Sequence, residues 1–90
     1  MTTVRRRVLV SGAVQGVGFR YAVLERARTR RVGGFVRNLP TGQVEAAFEG
    51  EPDAVDALVE FCRRGPRGSV VTDVDIDAET PAGEAGFAVR

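Results

Sequence analysis

Residues 34–49, GFVRNLPTGQVEAAFE, hold two short segments rich in valine, alanine and phenylalanine on either side of a Leu-Pro-Thr-Gly connector. Such a pattern predicts two strands joined by a turn. The flanks make this central hairpin decisive. Upstream, Phe19 to Arg31 contains neither glycine nor proline and carries Val23, Leu24 and Ala27 at helical spacing, with Gly33-Gly34 beyond to stop a first helix. Downstream, Pro52 opens a second helical pattern. Asp53 and Asp56 come early in it, Val55, Leu58, Val59 and Cys62 share one face, and Arg63-Arg64-Gly65-Pro66 mark its end. A hairpin bracketed by two helices needs strands at both ends of the chain to complete a sheet.

Both are present. Val4 to Val10 is largely β-branched or aliphatic and stops at Ser11-Gly12, although three consecutive arginines interrupt its alternation. Residues 69–79, SVVTDVDIDAE, alternate with Val70, Thr72, Val74 and Ile76 expected on one side and Asp73, Asp75 and Asp77 on the other. GFAVR, residues 86–90, supplies a last short strand. The order strand, helix, strand, strand, helix, strand predicts an α+β fold, the ferredoxin-like split βαβ sandwich (βαββαβ). Its sheet is mostly antiparallel, with two helices on one face and the other face expected to be wet. Residues 1–90 are expected to form a single domain, since a chain of this length holds one modest core.

Composition narrows the chemistry. The chain is 43% hydrophobic and 28% charged, as in soluble globular proteins. Thirteen basic residues against twelve acidic ones leave a net charge of +1, so no global field draws it to nucleic acid or membrane, and any electrostatic function must be local. Cys62 is the only cysteine and there is no histidine, which removes internal disulfides, Ser-His and Cys-His couples, and zinc or haem clusters. With neither a signal peptide nor a long apolar run, the expected place is the cytoplasm. Asp73, Asp75, Asp77 and Glu84 fall at calcium-loop positions, but Ala78 stands where that loop needs glycine, and Val74 with Ile76 fit a strand better. No metal is expected. Arg5 to Arg7 lack a pair of strand aromatics to stack bases, so they predict a solvated face and not an RNA site.

Residues 11–20, SGAVQGVGFR, place three glycines and one arginine between the first strand and the first helix. A glycine-rich strand-to-helix turn is either a tight connection or an anion site whose backbone N–H groups converge at a positive helix end. Arg20 favours the anion, because a cation at a helix N-terminus is unfavourable unless something negative lies between. GVGFRY lacks the third glycine of GxGxxG and no GK[ST] follows, which argues against a nucleotide. Asn38 closes a predicted strand before the turn. It is either a turn residue bonding its own backbone or, brought beside the start of the first helix, an amide able to hold a water.

VSGAVQGVGFR resembles the phosphate-loop signature of the acylphosphatases, and GFVRNLPTGQVEAAFEG, residues 34–50, resembles that family's second signature. The similarity extends over nearly the whole chain. It implies a small ferredoxin-like enzyme that hydrolyses the carboxyl-phosphate anhydride without metal or cofactor. By that resemblance Arg20 binds the phosphate, Asn38 orients the attacking water, and the amides of Gln15, Gly16, Val17, Gly18 and Phe19 cradle the phosphoryl oxygens. The chemistry agrees: a carboxylate leaving group, with a pKa of roughly 4, needs no general acid, and the chain has no histidine to supply one. One departure stands out. Arg30 and Arg31 occupy the end of the first helix where the family usually has leucine and glycine, and the left-handed turn this calls for is expected to fall to Gly33 and Gly34.

The expected partners are a small acyl phosphate and inorganic phosphate as product, for a monomer with no nucleic-acid or membrane partner. The alternative is a non-catalytic anion-binding or regulatory module of the same fold, or a carbamoyl-phosphate-handling domain of a larger maturation factor. A chain stopping at residue 90 favours the enzyme over the latter.

Overall fold

In the structure, a computed structural model that describes residues 2–90, the central stretch is a hairpin of β2 (Gly33–Asn38) and β3 (Val44–Gly50). Its turn is closed by the Leu39 N–H donating to the Gln43 carbonyl at 2.8 Å. The flanks follow as β1 (Val4–Ala13), α1 (Phe19–Thr29), α2 (Pro52–Arg64), β4 (Val70–Glu79) and β5 (Phe87–Val89). The sheet order is β4-β1-β3-β2-β5; all neighbours are antiparallel except β2 and β5, which run parallel.

Strand alternation decides which side chains meet the helices. Val8 and Val10 lie opposite Ala46 and Val44, and Val36 lies opposite Ala46 on the other side, so all of them share the covered face. There they pack with Phe19, Val23 and Ala27 of α1 and with Val55, Leu58, Val59, Phe61 and Cys62 of α2. Burial pushes the Cys62 thiol up to about 12, so it serves as a small core residue.

Three expectations need correction. The β1/β4 register shifts between Ser11 and Gly12, from Ser11 opposite Asp73 to Gly12 opposite Val71. This bulge skips Thr72, so Val71 joins Val74 and Ile76 against the core while Val70 is 59% exposed. Helix α1 stops at Thr29. The Arg31 N–H donates to the Arg28 carbonyl at 3.2 Å and the Val32 N–H to the Ala27 carbonyl at 2.9 Å, closing a Schellman turn in which Arg31 itself takes φ +57°. Gly33 and Gly34 serve a different need: a Cβ on either would collide with the carbonyl oxygen of Glu84 or Ala47, respectively.

The third concerns the face away from the helices, which is not simply wet. Residues 80–86 cross it, held by the Glu49 carboxylate. Glu49 accepts the N–H groups of Ala82 and Gly83 at 2.7 Å each and of Glu84 at 3.1 Å. Arg5, directly opposite both Glu49 and Glu79, binds Glu49, Glu79 and Glu84, each at 3.0 Å. Arg7 reaches diagonally to Glu45 and Glu79. The interrupted alternation of β1 thus makes a partly buried ion network, where a solvated face was expected, and Asp73, Asp75 and Asp77 lie along β4.

The backbone N–H of Ala82, with Arg5 beside it, holds the Glu49 carboxyl below the usual carboxylate range, and Arg5 and Arg7 do the same for Glu79. Both groups ionise more readily folded than unfolded. The stability they add is therefore complete above about pH 4.3 and is lost as the pH falls through their lower folded values. In thermal melts from pH 7 to pH 2, the wild type should lose stability below about pH 4. Glu49→Gln should be weaker at pH 7 by on the order of 3 kcal/mol, with a shallower acid slope. A variant that tracks the wild type at every pH would show that Glu49 does not hold the crossing segment.

Candidate functional site

The loop between β1 and α1 has the backbone its glycines predict. Gly16 and Gly18 take φ +74° and +76°. A Cβ at either would meet nothing within 4 Å, so conformation and not crowding demands glycine there. Left-handed residues alternating with ordinary ones turn successive N–H groups toward one concavity. Gly18 is also the N-cap of α1, with no side-chain cap and no acidic residue in the first turn. The first bond into the helix runs from the Ala22 N–H to the Gly18 carbonyl, which leaves the Phe19, Arg20 and Tyr21 N–H groups without a helical acceptor at the positive end of the dipole.

Packing holds this loop in place. Phe19 is 2% exposed and lies 6.4 Å from the Phe61 ring, while Val17 packs against the same core. The Gln15 side-chain amide donates to the Leu39 carbonyl at 2.8 Å and the Gln43 carbonyl at 2.9 Å, tying the loop to the β2–β3 turn. Gln43 in turn donates to the Ser11 hydroxyl at 3.0 Å. These tethers went unseen in the sequence. The sequence points only to the backbone amide of Gln15, and Gln43 and Ser11 carry no local signal.

Arg20 is half-buried. One guanidinium nitrogen donates to the main-chain oxygen of Arg90 at 3.4 Å, and the group lies 5.9 Å from the centre of the Tyr21 ring. Among the described residues no aspartate or glutamate side chain pairs with it, which it shares with several exposed arginines, whereas Arg5, Arg7 and Arg37 are each held by one or more glutamates.

Asn38 lies opposite Val44 and shares the helix-covered face with Val36, while its neighbour Arg37 points to the other face and binds Glu45 at 2.6 Å. Two tethers bracket Asn38. On one side the Arg90 N–H donates to the Val36 carbonyl at 2.9 Å, and Arg90 is the residue Arg20 reaches. On the other, Gln15 holds Leu39. The strand end and the helix start are thus drawn together. Among the described residues the Asn38 carboxamide makes no hydrogen bond, not even the bond to its own backbone that a turn role would show.

Free amides at a helix start, an arginine without an Asp or Glu partner and a neutral carboxamide suit a tetrahedral anion and a water beside it. Among the described residues no three histidine, cysteine or carboxylate side chains are grouped to hold a metal ion, and no helix is long and apolar enough to cross a membrane.

Comparison with known proteins points the same way. The profile of the family described as Acylphosphatase matches residues 6–89. An acylphosphatase of Rubrobacter xylanophilus is 54% identical over 89 residues, covering 98% of this chain and 81% of its own. That of Haloarcula marismortui is 50% identical over 90 residues, covering 100% and 99%. The crystal structure of acylphosphatase from Bacillus subtilis matches with a TM-score of 0.92 at 36% identity, over 97% of this chain and 98% of that one.

Proposed function

The chain belongs to the acylphosphatase family and is a hydrolase of acyl phosphates, and from that premise we propose how its residues divide the work. The amides of Gln15, Gly16, Val17, Gly18, Phe19 and Arg20 surround the phosphoryl oxygens. The Arg20 guanidinium neutralises the charge they carry as the bond to the acyl oxygen stretches. Asn38, on the covered face of β2, orients a water for in-line attack on phosphorus. The phosphorus–oxygen bond to the acyl group breaks, the carboxylate leaves with the bonding pair, and the proton of the attacking water passes to a phosphoryl oxygen. The leaving carboxylate needs no proton donor, which suits a site without histidine. We further take residues 1–90 to be one domain, working as a monomer in the cytoplasm without a metal or organic cofactor.

The observation that carries this assignment is the pair of left-handed glycines at the uncapped start of α1, with the half-buried Arg20 in the first turn. Inorganic phosphate should therefore inhibit competitively and stabilise the fold. At a hundredfold excess over Kd the gain is about 2.7 kcal/mol, which raises Tm by roughly 10–20 °C in a domain of this size. Chloride at equal ionic strength is the control. An unchanged Tm at saturating phosphate would overturn the loop assignment.

A further inference from the structure

We propose that Tyr21 is the contact for the acyl half of the substrate and selects for aromatic and other bulky apolar acyl groups, an inference that rests on the phosphate-site assignment above. The five phenylalanines of the chain are all buried, Phe87 least so at 9% exposed, whereas Tyr21 is 63% exposed. Its ring packs in no core, yet its centre lies 5.9 Å from the guanidinium assigned to the phosphoryl group. Helix geometry accounts for the placement. Phe19, Val23 and Ala27 form the buried stripe of α1, and position 21 falls on the opposite side of the helix. Helical side chains lean toward the N-terminus, so the Tyr21 ring covers the turn before it, at the mouth of the phosphate loop.

In-line displacement supplies the second constraint. The attacking water and the leaving oxygen occupy opposite sides of phosphorus. With the water held by Asn38 on the sheet side, the acyl oxygen departs away from the sheet, toward solvent and the outer face of α1, where Tyr21 stands. An aromatic acyl group carried there meets a ring of matching shape and polarity, while an acetyl group is too small to cover it.

The test compares benzoyl phosphate with acetyl phosphate in the wild type, Tyr21→Ala and Tyr21→Phe, alongside the inhibition constant for inorganic phosphate. Tyr21→Ala should lose about threefold to tenfold in kcat/KM on benzoyl phosphate, mainly through KM. Acetyl phosphate turnover and phosphate inhibition should stay as in the wild type, and Tyr21→Phe should retain the benzoyl preference. Equal losses on both substrates with weaker phosphate inhibition would overturn the proposal, making Tyr21 a positioning residue for Arg20. No change on either substrate would overturn it too. Failure of the underlying site assignment is read separately, as absence of competitive phosphate inhibition in the wild type.

Discussion

Arg20→Ala is expected to remove both phosphate binding and turnover. The guanidinium is the one side-chain cation assigned to the phosphoryl group, and its fork offers two parallel charge-assisted bonds. Losing them costs about 1.5–3 kcal/mol in the bound ground state, roughly tenfold to a hundredfold in the inhibition constant for phosphate. In the transition state charge accumulates on the equatorial oxygens, so kcat/KM should fall on the order of a thousandfold or more. Arg20→Lys should rescue little, since an ammonium cannot reproduce the planar fork. The fold should survive, because the side chain is half-buried and its one hydrogen bond, to the main-chain oxygen of Arg90, is long at 3.4 Å. Circular dichroism checks that point, steady-state kinetics with benzoyl phosphate give kcat/KM, and competition gives the phosphate constant. A variant with native phosphate affinity would show that the amides bind the anion alone.

Asn38→Ala is expected to fail differently. Its carboxamide is assigned to the water and not to the phosphoryl oxygens, so phosphate inhibition should remain near the wild-type value while kcat falls about a hundredfold or more. The two variants thus separate binding from attack. The Asn38 carboxamide makes no hydrogen bond to the rest of the described protein, so its removal leaves no buried group unpaired and the fold should hold. Wild-type kcat in a natively folded Asn38→Ala protein would leave Asn38 a strand-end residue and give the water another holder.

Much of the architecture was legible because it is written in local pattern. The Val/Phe-rich segments about Leu39–Gln43 and the proline and glycine at the two ends of α2 act over a few residues, where sterics and burial periodicity dominate. The glycine loop of the candidate site was legible for the same reason. Gly16, Gly18 and Arg20 lie within five positions, and the conformation they require follows from the absence of a Cβ.

The misses have a common cause. Val70 and Thr72 fit the alternation of β4 as well as Val71 does, and only the bulge opposite Ser11 and Gly12 sets the phase. Arg31 adopts the left-handed turn despite its Cβ because Ala27 and Val32 are both buried, which holds the chain reversal at that residue. Gly33 and Gly34 are then needed where other backbone passes close by.

By itself, then, the sequence determined the order of elements and the conformation of the glycine loop between β1 and α1, since each rests on interactions among near neighbours. Tertiary structure alone decided the network of Arg5, Glu49, Glu79 and Glu84, the segment it straps over the sheet, and the tethers from Gln15 and Arg90 that bring Asn38 to the loop. Arg5 is 44 residues from Glu49 and 74 from Glu79, and Gln15 is 24 from Leu39. Partners so far apart leave no periodicity in the chain; they become neighbours only when the folded sheet sets its strands, and the loops and turns at their ends, side by side.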